Sequence, residues 1–312
     1  MQDPLISMKV KDGIVGFVVA DALGVPVEFS QRDELLKKPV TDMIGYGTYN
    51  MPPGTFSDDS SMTLATMASI VNNNGEIVYE DIMNEFIEWW QNSKYTQYDN
   101  TFDIGNTTSV ALYNYMKGAN VFDCGLLGDR DNGNGSLMRI LPLAFIKDID
   151  YKTIENVSGL THGHPRSKLA CVFYVEFAKS ILNDNDKSIK EHVSRASDKI
   201  KDYYKDSNEI KKFKRILDGS IFDDDIDTIK SSGYVLSTLE AVIYILGNTN
   251  SYKEAVLGAV NLGSDTDTVG AIAGGIAGLF YGYDNIPVKW INKIKGIDKV
   301  IDLCKNYGKV LK

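Results

Sequence analysis

Small and apolar residues repeat with helical spacing along much of the chain, most clearly in residues 263–282. There Gly270, Gly274, Gly278 and Gly282 recur at every fourth position among apolar neighbours. Residues four apart share one face of a helix, so this spacing predicts a helix with a bare stripe. Each glycine costs a helix about 1 kcal/mol relative to alanine. The stripe therefore indicates close approach of another helix or of a ligand.

A second stretch, residues 13–24, has the same pattern. Gly16, Ala20 and Gly24 stand four apart beside a run of apolar side chains. The spacing predicts a buried helix with its own close-packing face. Asp21 lies inside this helix, and a carboxylate in such a place must find hydrogen-bond partners.

A glycine stripe is also typical of helices that dimerise in membranes. A membrane-spanning helix is therefore the alternative interpretation of residues 263–282. The uncharged stretch from Thr268 to Tyr283 falls short of the roughly 20 residues that a membrane span needs. Asp265 and Asp267 at its head would also be costly in lipid. We therefore expect no membrane association.

The remaining periodic segments are helical too, and no run alternates with period two for long enough to predict a sheet. We therefore expect an all-α fold, with one compact multi-helix domain over residues 1–312. Polar and charged residues dominate residues 183–231, which we interpret as a charged helical excursion on the surface. His192 lies in this segment and is expected to be exposed. Further helices are predicted within 62–71, 80–92, 108–116, 165–182, 234–247, 253–263 and 288–312.

Composition narrows the class of protein. The 312 residues are 43% hydrophobic and 24% charged, which is ordinary for a soluble globular protein. The net charge of −9 argues against a nucleic-acid-binding face. The N-terminal residues lack the features of a signal peptide. The three cysteines, Cys124, Cys171 and Cys304, are far apart and odd in number, which favours a reducing, cytoplasmic compartment without disulfides or a zinc framework. A monomer is expected.

Two acidic segments share a layout. Residues 57–61 read SDDSS and residues 264–268 read SDTDT, and each precedes a helix of small residues. Each segment could simply cap its helix, since acidic and hydroxyl side chains suit a helix start. A cap needs one such side chain, however, and four carboxylates brought together repel unless a cation neutralises them. Oxygen ligands without histidine or cysteine suit Mg²⁺, Mn²⁺ or Ca²⁺. We therefore predict that the two helix starts meet across a paired-metal site.

Two other carboxylates have competing interpretations on local grounds. Glu28 follows the first helix and would ordinarily be a solvated loop carboxylate. Asp103 stands at the entry to the helix predicted within 108–116, where a capping role and a catalytic role are equally compatible with the sequence.

A polar pocket is indicated further along the chain. The glycine-containing loop 133–136 precedes a predicted helix and could turn backbone N–H groups towards an anion such as phosphate. Its spacing fits neither the P-loop nor the dinucleotide fingerprint. Arg139 is a candidate partner for a carboxylate or a phosphate. His162 and His164 stand in a polar turn, which points modestly to a pocket there.

Taken in order, the motifs resemble the ADP-ribosylglycohydrolases, and most closely the bacterial dinitrogenase reductase-activating type. The resemblance covers nearly the whole chain except the charged excursion. It implies an all-α fold with two divalent cations, Mg²⁺ or Mn²⁺, near its middle, and cleavage of ADP-ribose from modified side chains or related acceptors. The motifs are GFVVADALGVPVEF, PGTFSDDSSMTLA, FDIGNTT, GNGSLMRILPLA, LTHGHP, GYVLSTLEAVIY and AVNLGSDTDTVGAIAGGIAGLFYG.

The resemblance also implies roles for individual residues. Glu28 and Asp103 match family carboxylates near the metals, with Asp103 matching the proposed acid or base of the arginine-type enzymes. The family usually has threonine where Ser57 stands, and serine keeps the hydroxyl. The implied metal ligands are Ser57, Asp58, Asp59, Asp265, Asp267 and Thr268. The residues implied to line the ADP-ribose groove are Asn134, Gly135, Ser136 and His162.

The expected reaction is therefore hydrolysis of the bond at the ribose anomeric carbon, with an ADP-ribosylated protein or small molecule as substrate and ADP-ribose as product. The segment from Asp103 to Thr107 favours ADP-ribosyl-arginine, while serine, other O-linked and small-molecule acceptors stay open. Two rivals remain: a relative that binds ADP-ribose without cleaving it, and a two-metal hydrolase of a phosphate ester or pyrophosphate. Free ADP-ribose as product would favour the glycohydrolase, and AMP would favour the second rival.

Overall fold

The computed structural model describes residues 4–311, which form fourteen α-helices joined by loops and short 3₁₀ helices. No β-strand forms among these residues, and backbone pairing outside the helices is limited to three isolated bridges. The predicted all-α class is confirmed. The α-helices are α1 (Pro4–Gly24), α2 (Arg32–Lys37), α3 (Asp58–Asn72), α4 (Tyr79–Asn92), α5 (Asn106–Met116), α6 (Tyr151–Gly159), α7 (Pro165–Asn183), α8 (Ile189–Tyr203), α9 (Lys214–Leu217), α10 (Val235–Gly247), α11 (Tyr252–Val260), α12 (Thr266–Tyr281), α13 (Val288–Ile291) and α14 (Ile297–Val310).

The two predicted glycine stripes pack against each other, on α1 and α12. A Cβ atom added at Gly274 would collide with the Ala20 side chain and lie 2.6 Å from the carbonyl oxygen of Gly16. A Cβ atom at Gly16 would lie 2.5 Å from the carbonyl oxygen of Gly274. A side chain at Gly16 or Gly274 would push the helices apart, so these glycines set the separation of the two helices.

Gly282 does not belong to the stripe. It lies just beyond the end of α12 with φ 85°, a left-handed conformation that favours glycine. Its role is to end the helix and turn the chain, and the packing stripe stops at Gly278.

The α1–α12 pair is enclosed by other helices, which hydrogen-bond to its backbone. Tyr174 of α7 donates to the carbonyl of Ile272 at 2.9 Å, and Tyr252 of α11 donates to the carbonyl of Gly16 at 2.6 Å. Both tyrosines are fully buried, so each polar tip is satisfied within the core. The start of α12 is thereby held deep inside the molecule.

The charged segment 183–231 covers α7 with helix α8, whose apolar face joins the main core. The expectation that His192 is exposed is wrong, because its side chain is fully buried. It lies three positions after Ile189 and one before Val193, on the face that packs inward. Its Nδ1 atom lies 2.9 Å from the hydroxyl of Ser180.

The cysteines and the helix lengths can be compared with what the sequence predicts. Cys124, Cys171 and Cys304 are buried and free. Among the described residues, no helix combines the length and apolar character needed to cross a membrane.

Candidate active site

Helix α3 begins with a cap supplied by another helix. The carboxylate of Asp21, on α1, accepts hydrogen bonds from the backbone N–H groups of Ser57 and Ser60, each at 3.0 Å. It also accepts from the Ser60 hydroxyl at 2.6 Å. Asp21 therefore satisfies backbone N–H groups at the start of α3, and Asp58 and Asp59 are not needed as their acceptors. Ser57 is the N-cap residue by position, and its hydroxyl accepts from the backbone of Asp59.

At the start of helix α12, Oδ1 of Asp267 accepts from the backbone N–H of Thr268 at 2.9 Å. Asp265 is the N-cap residue, yet its side chain makes no capping bond. Its Oδ2 atom accepts from the amide of Asn134 at 2.7 Å. The preceding Ser264 exchanges backbone hydrogen bonds with the loop after the first helix, donating to Ser30 at 2.8 Å and accepting from Phe29 at 2.7 Å. This pairing brings that loop against the start of α12.

The two acidic helix starts meet. The hydroxyl of Thr268 donates to Oδ2 of Asp59 at 3.3 Å, across 209 positions of sequence. Asp59 and Asp267 are each at most 1% exposed, and each keeps one carboxylate oxygen without a hydrogen-bond partner. Buried polar atoms in proteins are nearly always hydrogen-bonded, so two such oxygens on adjacent helix starts call for a bound proton or a bound cation.

Glu28 lies at the same place. It is 6% exposed, so it is not a solvated loop carboxylate. Carboxylate oxygens of Glu28, Asp265 and Asp267 all lie within 4.8 Å of one another, a spacing at which one cation could bind all three. The position of Glu28 thus permits cation binding as well as the acid–base role that the family resemblance implies.

Asp103 does not cap α5, whose N-cap residue is Gly105. Its Oδ1 atom instead lies 2.5 Å from the hydroxyl of Tyr49, which also lies 2.6 Å from Oε2 of Glu28. A phenol has one hydrogen and can donate it to only one of these carboxyl groups. Both contacts are hydrogen bonds only when the other carboxyl group is protonated and donates to the phenol oxygen, so Glu28 and Asp103 would then share one carboxyl proton through Tyr49.

Tyr49 is not marked by any motif of the sequence. It belongs to the glycine- and proline-rich loop 45–56, which shows no periodicity that would single out one residue. A tyrosine has its hydroxyl far from the backbone, and only the folded loop shows where it reaches.

Burial raises the pKa of the clustered carboxyl groups, and their mutual repulsion raises it further. Burial, followed by the charge of Asp103, raises the pKa of Glu28 to about 9. The pKa of Asp58, Asp59 and Asp267 is raised well above the ordinary value, chiefly by burial. Such a cluster favours either bound protons or a bound cation. Its hard oxygen atoms suit Mg²⁺ or Mn²⁺.

The loop 133–136 lies beside the acidic cluster, and the expectation that an α-helix follows it is wrong. A 3₁₀ helix (Leu141–Phe145) follows a series of turns instead. Pro142 explains the difference, because proline disfavours α-helical geometry in the residue before it and cannot donate within a helix. Asn134 links the loop to the cluster through Asp265 and to Thr238 at 2.9 Å.

The other residues implied to line a substrate groove differ in where their side chains lie. Ser136 is fully buried, and its hydroxyl accepts from Ser158 at 2.9 Å, so its side chain faces the core. The ring of His162 lies against the loop, since a Cβ atom at Gly135 would be 2.8 Å from Cε1 of His162. His164 is the N-cap of α7, and its ring accepts from the backbone of Arg166 at 3.1 Å.

This chain is similar in sequence and fold to proteins of a known family. The family model described as ADP-ribosylglycohydrolase matches residues 2–311. The chain is 32% identical over 304 residues to ADP-ribosylarginine hydrolase Tri1 of Serratia proteamaculans, covering 95% of this chain and 78% of that protein. It is 28% identical over 302 residues to the ADP-ribosyl-[dinitrogen reductase] glycohydrolase of Rhodospirillum rubrum, covering 94% and 92%.

A solved structure supports the same fold. A chain described as an ADP-ribosylglycohydrolase-related protein complex superimposes with a TM-score of 0.81 at 24% identity, covering 98% of this chain and 99% of that chain. Together with the match over residues 2–311, the paired acidic helix starts identify this chain as a member of the ADP-ribosylglycohydrolase family of glycosidases.

Proposed function

We propose that this chain is a metal-dependent hydrolase that removes ADP-ribose from ADP-ribosyl-arginine by cleaving the bond at the ribose anomeric carbon. The observation that carries the proposal is the contact between the starts of α3 and α12, with a partnerless carboxylate oxygen on each side. Relatives named for ADP-ribosylarginine hydrolysis and for ADP-ribosyl-[dinitrogen reductase] support it. An ADP-ribosylated protein is accordingly the substrate class that we propose.

In this proposal two divalent cations, Mg²⁺ or Mn²⁺, bind among the carboxylates. Cations bound there would supply positive charge that orients the ribose hydroxyls and a water molecule. Glu28 lies close enough to Asp265 and Asp267 to contribute a further oxygen. The proposed ligands are Ser57, Asp58, Asp59, Asp265, Asp267 and Thr268.

Glu28, Asp103 and Tyr49 would handle the proton in this reaction. A carboxyl proton shared by the two groups through Tyr49 would allow one group to act as an acid while the other acts as a base. Burial raises the pKa of Asp103 as well as that of Glu28. A raised pKa lets a carboxyl group keep or accept a proton near neutral pH.

The same carboxyl groups favour an arginine acceptor. A guanidinium group is cationic and presents donors in a planar fork that matches carboxylate oxygens. Glu28 is buried, whereas Asp103 is partly exposed and lies on the loop that precedes α5. A guanidinium could therefore reach Asp103 from the surface while the ribose lies deeper, towards Asp265.

The loop 133–136 and His162 are proposed to bind the remainder of ADP-ribose. Asn134 connects this loop to Asp265, so a ligand that spans the two would have its ribose at the carboxylates and its diphosphate at the loop. The buried side chain of Ser136 leaves its backbone as the proposed contact.

The test uses three substrates in parallel: ADP-ribose linked to arginine, to serine and to thymidine, each with Mn²⁺, with Mg²⁺ and with chelator. We expect release of intact ADP-ribose from the arginine-linked substrate only in the presence of a cation. Preference for another acceptor would contradict the arginine assignment and leave the hydrolase class intact. Binding without turnover of any substrate would favour a non-catalytic ADP-ribose-binding protein.

A further inference from the structure

Arg139 is a buried cation without a carboxylate partner among residues 4–311. Its side chain is fully buried, with the guanidinium 4.7 Å from the ring centre of Phe86. Its Nη2 atom donates to the carbonyl of Val157 at 3.1 Å and to the hydroxyl of Thr161 at 2.8 Å, whereas Nε and Nη1 have no partner. Burial lowers its pKa only to about 10, so it stays charged at neutral pH. A buried unpaired charge is costly, which indicates a use beyond packing.

The hydroxyl of Thr161 connects Arg139 to His162. A guanidinium can only donate, so the oxygen of Thr161 is the acceptor in that bond. The same oxygen lies 2.8 Å from Nδ1 of His162. Thr161 is fully buried, and Nδ1 is the acceptor within reach of its single hydrogen. If Nδ1 carried a hydrogen, the hydroxyl hydrogen would be left unsatisfied in the core. Nδ1 is therefore the acceptor.

This direction of hydrogen bonding fixes the state of the His162 ring. Burial, followed by the charge of Arg139, lowers the pKa of His162 to about 3, so the ring is neutral at physiological pH. A neutral imidazole with an acceptor Nδ1 carries its hydrogen on Nε2. The ring atoms Cε1 and Nε2 are the ones that approach Gly133 and Gly135, at 2.8 to 3.3 Å from the Cβ positions of those glycines.

We propose that Arg139 and Thr161 are positioning residues that fix His162 as an Nε2–H donor towards the anionic group bound by the loop 133–136. The anionic group would be the diphosphate of ADP-ribose, so this inference rests on the proposed function. A neutral histidine in the other tautomer would present a lone pair to the diphosphate and repel it. In this hydrogen-bond relay from Arg139 through Thr161 to His162, the buried charge holds the Thr161 hydroxyl as a donor to Nδ1 and so leaves Nε2–H free to face the diphosphate.

The test combines nitrogen NMR with ligand binding, because the chain has only three histidines to assign. In the wild type, two-bond proton–nitrogen spectra should show His162 protonated at Nε2 alone. Thr161→Val removes the relay, and Thr161→Ser keeps the hydroxyl as the matched control. We expect Thr161→Val to populate the Nδ1–H tautomer and to weaken ADP-ribose binding by about tenfold, whereas Thr161→Ser stays within about twofold. The threonine variants carry the test because Arg139→Met, which leaves the carbonyl of Val157 and the hydroxyl of Thr161 without their donor in the core, can prevent folding.

An Nδ1–H tautomer in the wild type would overturn the proposal. So would a Thr161→Val variant that changes the tautomer while binding ADP-ribose with wild-type affinity, or a wild type that does not bind ADP-ribose. Hydrolysis of ADP-ribosyl-arginine is assayed separately. Absence of turnover with the predicted tautomers and affinities would refute the proposed activity and leave the positioning role intact.

Discussion

Three buried aspartates, Asp21 on α1 and Asp59 and Asp267 at the starts of α3 and α12, differ in how their oxygens are satisfied. Asp21 accepts hydrogen bonds from two backbone N–H groups and a hydroxyl, which is the pattern of a helix cap. Asp59 and Asp267 each keep an oxygen without a partner. Hydrogen bonding, and not residue type, separates the structural aspartate from the candidate cation ligands.

The first prediction concerns Asp267→Asn, a change of nearly equal size. It removes a charge that repels Glu28 and Asp103, so the cation-free protein should unfold at the same temperature as the wild type or higher. Hydrolysis of ADP-ribosyl-arginine should fall by about a thousandfold or more, because a proposed cation ligand is lost. Thermal unfolding and initial rates measure the two effects.

The matched control for this prediction is Asp302→Asn, on the exposed face of α14, which should change neither quantity. A destabilised Asp267→Asn protein with near wild-type activity would show that the residue is structural.

The second prediction concerns Asp21→Ala, which should reduce the stability of the fold. Two backbone N–H groups and the Ser60 hydroxyl would lose their acceptor in the core. We expect the free energy of unfolding to fall by about 3 kcal/mol, measured by denaturant titration. A loss below about 1 kcal/mol would contradict the capping role.

At the scale of elements, the spacing of small residues on α1 and α12 determines how the site is assembled. Close contact between the two glycine faces brings the start of α12 to the depth of Asp21 and α3. The sequence predicted a close-packing face on each helix, because residues four apart share one helix face, but not that these two faces meet. It could not predict that Asp21 caps α3, because such a cap depends on where two distant helices cross. The same limit applies to Tyr49, because the fold of its loop decides where its hydroxyl lies. It applies also to His192, because the charged residues around it in sequence do not show that its own face of α8 is buried.

The third prediction compares two helical glycines. Gly274→Ala places a methyl group against Ala20 and the carbonyl of Gly16, and should lower the free energy of unfolding by about 2 kcal/mol or more. For Gly258→Ala, inside α11, the nearest atoms to the new methyl group are in the side chains of Ile245, at 3.4 Å, and Thr249, at 4.0 Å, so the change should be neutral or stabilising by up to about 1 kcal/mol. Equal effects of the two changes, measured by denaturant unfolding, would refute close packing as the function of the stripe.

At the scale of the whole molecule, clustered carboxylates make stability depend on pH and on cations. The folded-state pKa of Glu28 is raised from 4.5 to about 9, so the folded protein binds more protons than the unfolded chain between these values. Its contribution to stability is complete below about pH 4.5 and is lost as pH rises towards 9. Cations bind the deprotonated carboxylates and should restore this loss.

The fourth prediction follows from that linkage. Without cations, the unfolding temperature should fall as pH rises from 5 to 8, and the increase produced by Mn²⁺ should grow over the same range. At a concentration about a hundred times the dissociation constant, Mn²⁺ should raise the unfolding temperature by about 5 °C at pH 8. Calorimetry with and without chelator measures both trends. An increase that is independent of pH, or absent, would contradict cation binding at the acidic cluster.

We propose that residues 1–312 form one domain, with 183–231 as a charged surface region of it. The apolar residues of α8 and α9 join the same core as α1 and α12, which supports this organisation.

The all-α fold and the meeting of the two acidic segments could be predicted from motifs and spacing. The hydrogen-bond relay from Arg139 to His162 could not, because each link depends on side-chain orientation in the core.

The most direct test of the account is the product formed from ADP-ribosyl-arginine in the presence of Mn²⁺, separated by chromatography. The account predicts intact ADP-ribose and free arginine, formed by the wild type, abolished by chelator and absent with Asp267→Asn. Formation of AMP, or release of ADP-ribose that neither chelator nor Asp267→Asn reduces, would contradict it.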